Sequence, residues 1–386
     1  MAPGTTFRSS PGRGVRQLRD VTLVLGPPTA GAFTGGGDVS PDFELLAAVA
    51  RGVLDLSDVT RPTALRLPYP ASTQLAFDRV VLAYLRQDQP APLSVPDLLS
   101  RCRDRLTTWP LALPPDVLTD DARLIDRSSA EPTRTCAELA SYGRLGNVEQ
   151  GGAQVVADLA DACGTPERFA ACRDFLITHP VILHPDISKL MRPTTIRTWR
   201  LVRELYEPVP EHFSIDRVVS TCAECRLFAK PTEGDGTWCE GGCTKRRGGL
   251  ERVEEPKHPI ALPRAVRLFL ALPGHTELVL RKRLSDGPRL VPTETGGLRL
   301  VHEGGAGRTV RVLDREQPAL AAFRAAELAA LEDSPLDVVM PDAVVDRPGY
   351  RKAFDRNLPN GAQVRLSSVS EFTAPYRSDR SGRTRA

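Results

Sequence analysis

Four cysteines constrain this chain more than any other feature. Cys222-Ala-Glu-Cys225 is followed by thirteen residues and then by Cys239-Glu-Gly-Gly-Cys243. Two short-range cysteine pairs separated by a loop are what a four-thiolate tetrahedral zinc site requires. Each pair sits on a tight turn, so that both sulfurs face one point. Gly241 and Gly242 suit the second turn, and Gly234-Asp235-Gly236 suits the tip of a hairpin between the pairs. A closed Cys222, Cys225, Cys239, Cys243 site leaves no open coordination position, so its zinc is structural. Lys245, Arg246 and Arg247 follow directly, as either a solvated basic run or a phosphate contact.

The rest of the composition places this ribbon in ordinary globular surroundings. At 386 residues, 41% hydrophobic and 26% charged, the chain suits two or three domains with real cores. A net charge of +3 sets up no global field for nucleic acid. No stretch reads as a membrane span, and the N-terminal residues have no apolar segment of the signal-peptide kind. The expected compartment is the cytoplasm, where reduced thiols favour metal over disulfide.

Residues 1–39 and 373–386 read as disordered tails, and the glycine-rich run Gly31 to Asp38 as a flexible turn. Residues 40–150 read as a helical N-terminal domain. Ser40 with Pro41 opens a helix through Leu54, Leu75 to Leu85 has helical spacing, and Ser94 caps another helix over Pro96 to Leu106. Gly146 to Gly152 reads as a boundary loop. Cys102 and Cys136 read as core thiols.

Residues 151–215 read as a second helical unit resembling a helix-turn-helix. Thr165-Pro166 starts one helix, and Thr194 is expected to cap another that runs to Tyr206. On that last helix Ile196, Trp199, Val202 and Leu205 form an apolar stripe, while Arg197, Arg200 and Arg203 recur on another face. The arginine row is a solvated face or, in the sharper reading, a row of phosphate contacts. The six histidines show no metal or catalytic spacing.

The ribbon spans about 216–255, and from there to 372 the pattern changes. A helix over Gly274 to Leu284 precedes strand-like pieces at Arg289 to Val291, Leu298 to His302 and Thr309 to Leu313. Then come a helix over Pro318 to Leu331, an apolar strand Leu336 to Met340, a helix Pro348 to Arg356 and a strand Val364 to Leu366. The fold class is therefore multi-domain α+β.

The words of this segment resemble one family. They are Leu272-Pro273-Gly274 with Glu277-Leu278, Leu290-Val291-Pro292, Val310-Arg311-Val312, and Val338-Val339-Met340-Pro341-Asp342 before Tyr350. The family is the restriction-endonuclease-fold protein encoded beside prokaryotic Piwi-like proteins in the pPIWI-RE three-gene islands. The resemblance covers about residues 40–372. It implies a helical N-terminal region, a helix-turn-helix-like linker, a four-cysteine ribbon and a C-terminal restriction-endonuclease-like α/β domain. It also implies DNA cleavage in an anti-plasmid or anti-phage system, with a Piwi-like RNase H-fold protein and a helicase as partners.

Such nucleases place an Asp at a strand end and an acidic-x-Lys on the next strand, where the carboxylates hold Mg²⁺. Here Glu277 fits a helix glutamate. Gly296-Gly297-Leu298 stands where the Asp should lie, and Leu313-Asp314-Arg315-Glu316 where the acidic-x-Lys should lie. Arg315 stays protonated and does not replace a lysine cleanly. Asp314 and Glu316 remain as carboxylate donors, with Glu294 and Glu303 as others. The preferred expectation is a DNA-binding, nuclease-fold component with a decayed active centre. The alternatives are an active Mg²⁺-dependent endonuclease of the same system, and a zinc-ribbon and helix-turn-helix transcriptional regulator.

Overall fold

The computed structural model describes residues 40–59, 65–142, 147–183, 187–232, 236–243, 249–285, 288–293, 297–301, 307–332 and 334–376. Both expected tails up to 39 and beyond 376, the Gly31 to Asp38 run, the Gly234-Asp235 tip, the run Lys245 to Arg247, and Glu294, Gly296 and Glu303 lie outside these residues.

The N-terminal helices form where the caps place them. Helix α1 (Pro41–Val59) begins on Ser40, whose carbonyl accepts from Phe43 and Glu44. Its apolar face, with Leu46, Val49, Ala50 and Val53 all nearly inaccessible, packs on α2 (Ala71–Leu85). In α3 (Val95–Arg101) the Ser94 hydroxyl accepts from Asp97 N, as a Ser N-cap does, but the helix ends at Arg101, short of the expected Leu106, which opens a separate 3₁₀ turn. A short helix the sequence did not announce, α4 (Arg134–Leu139), is capped by Thr133 and buried at every position.

Two expectations in the next segment need correction. Gly151 and Gly152 are not in a boundary loop; they lie inside α5 (Val148–Cys163). A Cβ on Gly152 would meet the Ala265 backbone at 3.1 Å, so the glycine serves close packing. Helix α6 (Pro166–Thr178) is capped by Thr165 as expected. After strand β1 (Val181–Ile182) and α7 (Ile187–Leu190), however, the flank of α8 (Ile196–Val202) is Thr195 rather than Thr194. The Thr195 hydroxyl donates to the Lys189 carbonyl instead of capping, because the preceding turn already bonds Ile196 N to Arg192 O. A 3₁₀ turn over Arg203–Leu205 ends this helix before Tyr206.

A set of short antiparallel pieces carries the cysteines. Strand β2 (Glu207–Pro208) precedes β3 (Ser214–Ile215), β4 (Val218–Cys222), β5 (Ala229–Pro231), β6 (Thr237–Cys239), β7 (Leu250–Glu254) and β8 (Ile260–Ala261). β4 pairs with β3 and β7, β5 pairs with β6, and β8 lies between β1 and β2. The ribbon thus joins the helical unit through β3, which pairs with β4, while β1 and β2 flank β8 just beyond the ribbon.

Beyond it, α9 (Arg264–Val266) runs through a π-turn at Arg267–Ala271 into α10 (Leu272–Arg283). Strands β9 (Arg289–Pro292), β10 (Leu298–Val301) and β11 (Arg308–Val312) form an antiparallel meander. Helix α11 (Pro318–Ala329) then crosses to β12 (Leu336–Met340), parallel to β11. After α12 (Asp342–Val345) and α13 (Tyr350–Asn357), β13 (Val364–Ser368) pairs parallel with β12 and closes the five-stranded sheet. The order helix, three strands, helix, strand follows the expectation from sequence. β12 is buried on both faces, as a central strand must be. Leu336, Val338 and Met340 pack with α11 and α13, and Val339 packs with α10 and α14 (Val369–Thr373). The chain stays ordered past 372, because Thr373 is fully buried and donates to Val369 O.

The largest apolar cluster ignores sequence order. It joins α1 to α4 with Cys222, Cys225, Cys239, Leu227, Leu272 and the start of α11. The ribbon is part of that shared core.

Candidate metal centre and the buried carboxylates

The four sulfurs of Cys222, Cys225, Cys239 and Cys243 lie within 4.8 Å of one another. Cys225 and Cys239 Sγ are 3.4 Å apart. Tetrahedral zinc with Zn–S bonds of about 2.3 Å separates its sulfurs by about 3.8 Å, so the tetrad could hold one metal ion in a geometry compatible with structural zinc. Local backbone builds the two turns. Arg226 N bonds Cys222 O, and Gly242 N bonds Cys239 O. Gly242 has φ +77°, and a Cβ on Gly241 would press on Cys225 Sγ at 2.9 Å. Hydrogen bonds from Cys225, Cys239 and Cys243 pull the Cys222 thiol far down, while donating to Cys222 pushes Cys225 and Cys243 up.

Arg134 anchors the second turn. Its Nη1 donates to Gly241 O at 3.1 Å, its Nε to Glu138 at 3.0 Å and its Nη2 to Asp314 Oδ1 at 2.6 Å. It is buried, and despite burial Asp314 and Glu138 hold its proton more tightly than usual. Glu138 in turn accepts from Glu316 N at 2.6 Å and Gln317 N at 3.0 Å, the free amides ahead of α11. Burial raises the Glu138 carboxyl above its ordinary range, with Arg134 opposing.

The three expected catalytic carboxylates are all engaged by arginine. Asp314 is on Arg134. Glu316 accepts from Arg347 at 3.2 Å and from Thr135 at 3.2 Å. Glu277 is gripped by both amino groups of Arg173, at 3.1 and 2.7 Å, and by Arg281 at 2.5 Å. Glu277 and Asp314 line one cavity of about 100 Å³, and Glu316 does not. Among the described residues, only the cysteine tetrad gathers three or more such ligand groups into a metal-sized cluster.

Arg315 is buried with its Nη2 on Glu149 at 2.5 Å and its guanidinium 4.6 Å over the Phe269 ring. Burial would raise the Glu149 carboxyl, but Arg315 and Arg324 overcome it and hold the group below its usual range. Tyr350 donates to Arg315 O at 2.8 Å. Elsewhere Arg197, Arg200 and Arg203 are all exposed, and Arg203 pairs with Glu204 at 2.9 Å.

The sequence reading missed Arg134, Glu138, Glu149 and Arg173. The one local signal was an ionic i,i+4 pair, Arg134 and Glu138, set in the otherwise apolar run around Cys136. No described helix is long and apolar enough to cross a membrane.

With this geometry in place, comparison with known proteins gives one match. Residues 45–183 match the family model described as pPIWI_RE three-gene island domain Y. The match ties this part of the chain to the pPIWI-RE islands, and it runs from Leu45 in α1 through β1 with Arg134, Glu138, Glu149 and Arg173. No curated protein and no solved structure matches.

Proposed function

We propose, from the tie to the pPIWI-RE islands, that this chain is the DNA-binding, nuclease-fold component of a Piwi-associated restriction system and that its active centre is decayed. The supporting observation is the fate of Leu313 to Glu316, the segment aligned by resemblance with the acidic-x-Lys strand. Its carboxylates are bound to Arg134 and Arg347, and Arg315 is buried on Glu149. A carboxylate already neutralised by guanidinium has no free charge for Mg²⁺. The segment serves instead as the joint between the stretch matched to domain Y and the C-terminal sheet.

The tetrad would hold zinc as a structural ion that pins this joint from the ribbon side. The exposed arginine row of α8, with Lys245 to Arg247, would supply the phosphate contacts. A Piwi-like RNase H-fold protein and a helicase would supply guide handling and unwinding, in the cytoplasm. The division into a helical N-terminal domain, a second helical unit, a ribbon over 216–255 and a C-terminal domain over 256–372 belongs to the same proposal, with the first boundary ahead of α5 rather than at 150.

The test incubates the purified chain with both partners, plasmid DNA and Mg²⁺. The expected result is DNA binding without cleavage by this subunit. Cleavage that vanishes in Asp314→Ala would sink the decayed-centre reading and favour the active endonuclease.

A further inference from the structure

The cavity that Glu277 and Asp314 share is lined by more arginine than carboxylate. Arg173, Arg311, Arg315 and Arg324 face it, against Glu149, Glu277 and Asp314. Each of these three acids already accepts from a guanidinium. Two donors are left over. Arg311 Nε and Arg315 Nη1 are buried and have no hydrogen-bond partner among the described residues. Their side chains are 7% and 4% exposed.

An unpaired buried N–H costs about 1–3 kcal/mol, and more on a charged group. Burial lowers the proton affinity of Arg311, and its single carboxylate partner, Glu332, does not restore it. Gly297 covers the Arg311 guanidinium so closely that a Cβ there would lie 2.7 Å from Nε. The cavity is thus a small space whose unsatisfied groups are all donors.

We propose that this cavity binds a small tetrahedral oxyanion of the phosphate class, held by Arg311 and Arg315. Guanidinium groups match phosphate oxygens in geometry and charge. A space of about 100 Å³ is large enough for one phosphate. A divalent cation is disfavoured, since it would displace the arginines from Glu277 and Asp314 while leaving both donors unpaired. The same chemistry fits orthophosphate and the terminal phosphate of a nucleic-acid strand. The inference stands apart from the proposed DNA role, because it is measured with no duplex present.

The experiment is calorimetric titration of the full chain with sodium phosphate, against sodium chloride at matched ionic strength. Saturable one-site binding of phosphate alone is expected. Arg311→Met and Arg315→Gln should each weaken it at least tenfold, about 1.4 kcal/mol or more. Gly297→Ala, which leaves every charge in place but crowds Arg311, should also weaken it. No saturable binding of phosphate to the unaltered chain by about 10 mM would overturn the proposal, whatever the variants do. Undiminished binding in folded Arg311→Met and Arg315→Gln chains would overturn it as an adventitious ion only. A short 5′-phosphorylated oligonucleotide that competes, where its hydroxyl counterpart does not, identifies a terminal phosphate as the ligand. Failure of both to compete identifies the free anion.

Discussion

Arg134 Nη2 lies 2.6 Å from Asp314 Oδ1, an ion pair that joins α4 to the turn after β11 across 180 residues of chain. Both side chains are 6% exposed. The same guanidinium reaches Gly241 O beside the cysteines, so one arginine connects the helical region, the ribbon and the C-terminal sheet.

Arg134→Met should therefore be among the costliest substitutions. Removing one partner of a buried pair typically costs about 3–5 kcal/mol, because the other charge stays buried and unpaired. Urea unfolding of Arg134→Met, Asp314→Asn and the double variant should give a coupling of about 1–3 kcal/mol. Strictly additive losses would show that the pair does not act as one unit.

Elemental analysis should find one zinc per chain, lost in Cys225→Ser. The loss should lower the unfolding temperature of the whole chain, because Cys225 shares a core cluster with Leu46, Leu139 and Leu320. A variant free of zinc that melts at the original temperature would contradict a structural role.

Replacing Arg197 and Arg200 with alanine should weaken DNA binding and reduce the slope of log K against log salt by about 2. Both side chains are exposed, so the fold should survive the change. An unaltered slope would return the row to a solvated face.

Glu149→Gln tests the Arg315 contact through pH. A carboxyl held below its unfolded value contributes stability above that value and loses it as pH falls through the folded value. Glu149 is held low by Arg315 and Arg324 against burial. At pH 7 the substitution should cost about 3 kcal/mol. The gap from the unaltered chain should narrow only at acid pH, below the ordinary Glu value of 4.5. A gap that stays constant down to pH 3 would mean the loss is one of packing.

What the sequence determined by itself is everything set by neighbours along the chain. The cysteine spacing, the helix start at Ser40-Pro41, the Ser94 and Thr165 caps, and the apolar strand Leu336–Met340 are local signals, and their elements stand where those signals put them. Signals that depend on what packs alongside misled: Gly151 and Gly152 read as a loop until α9 was seen against α5. The tertiary structure alone decided which arginine meets which carboxylate. Asp314 and Glu316 look like free acids in sequence, because their arginines lie 180 and 31 residues away; Glu277 has a legible i,i+4 partner in Arg281, but Arg173, 104 residues away, leaves no spacing to read. A buried charge must find an opposite one somewhere, and only the closed fold settles where.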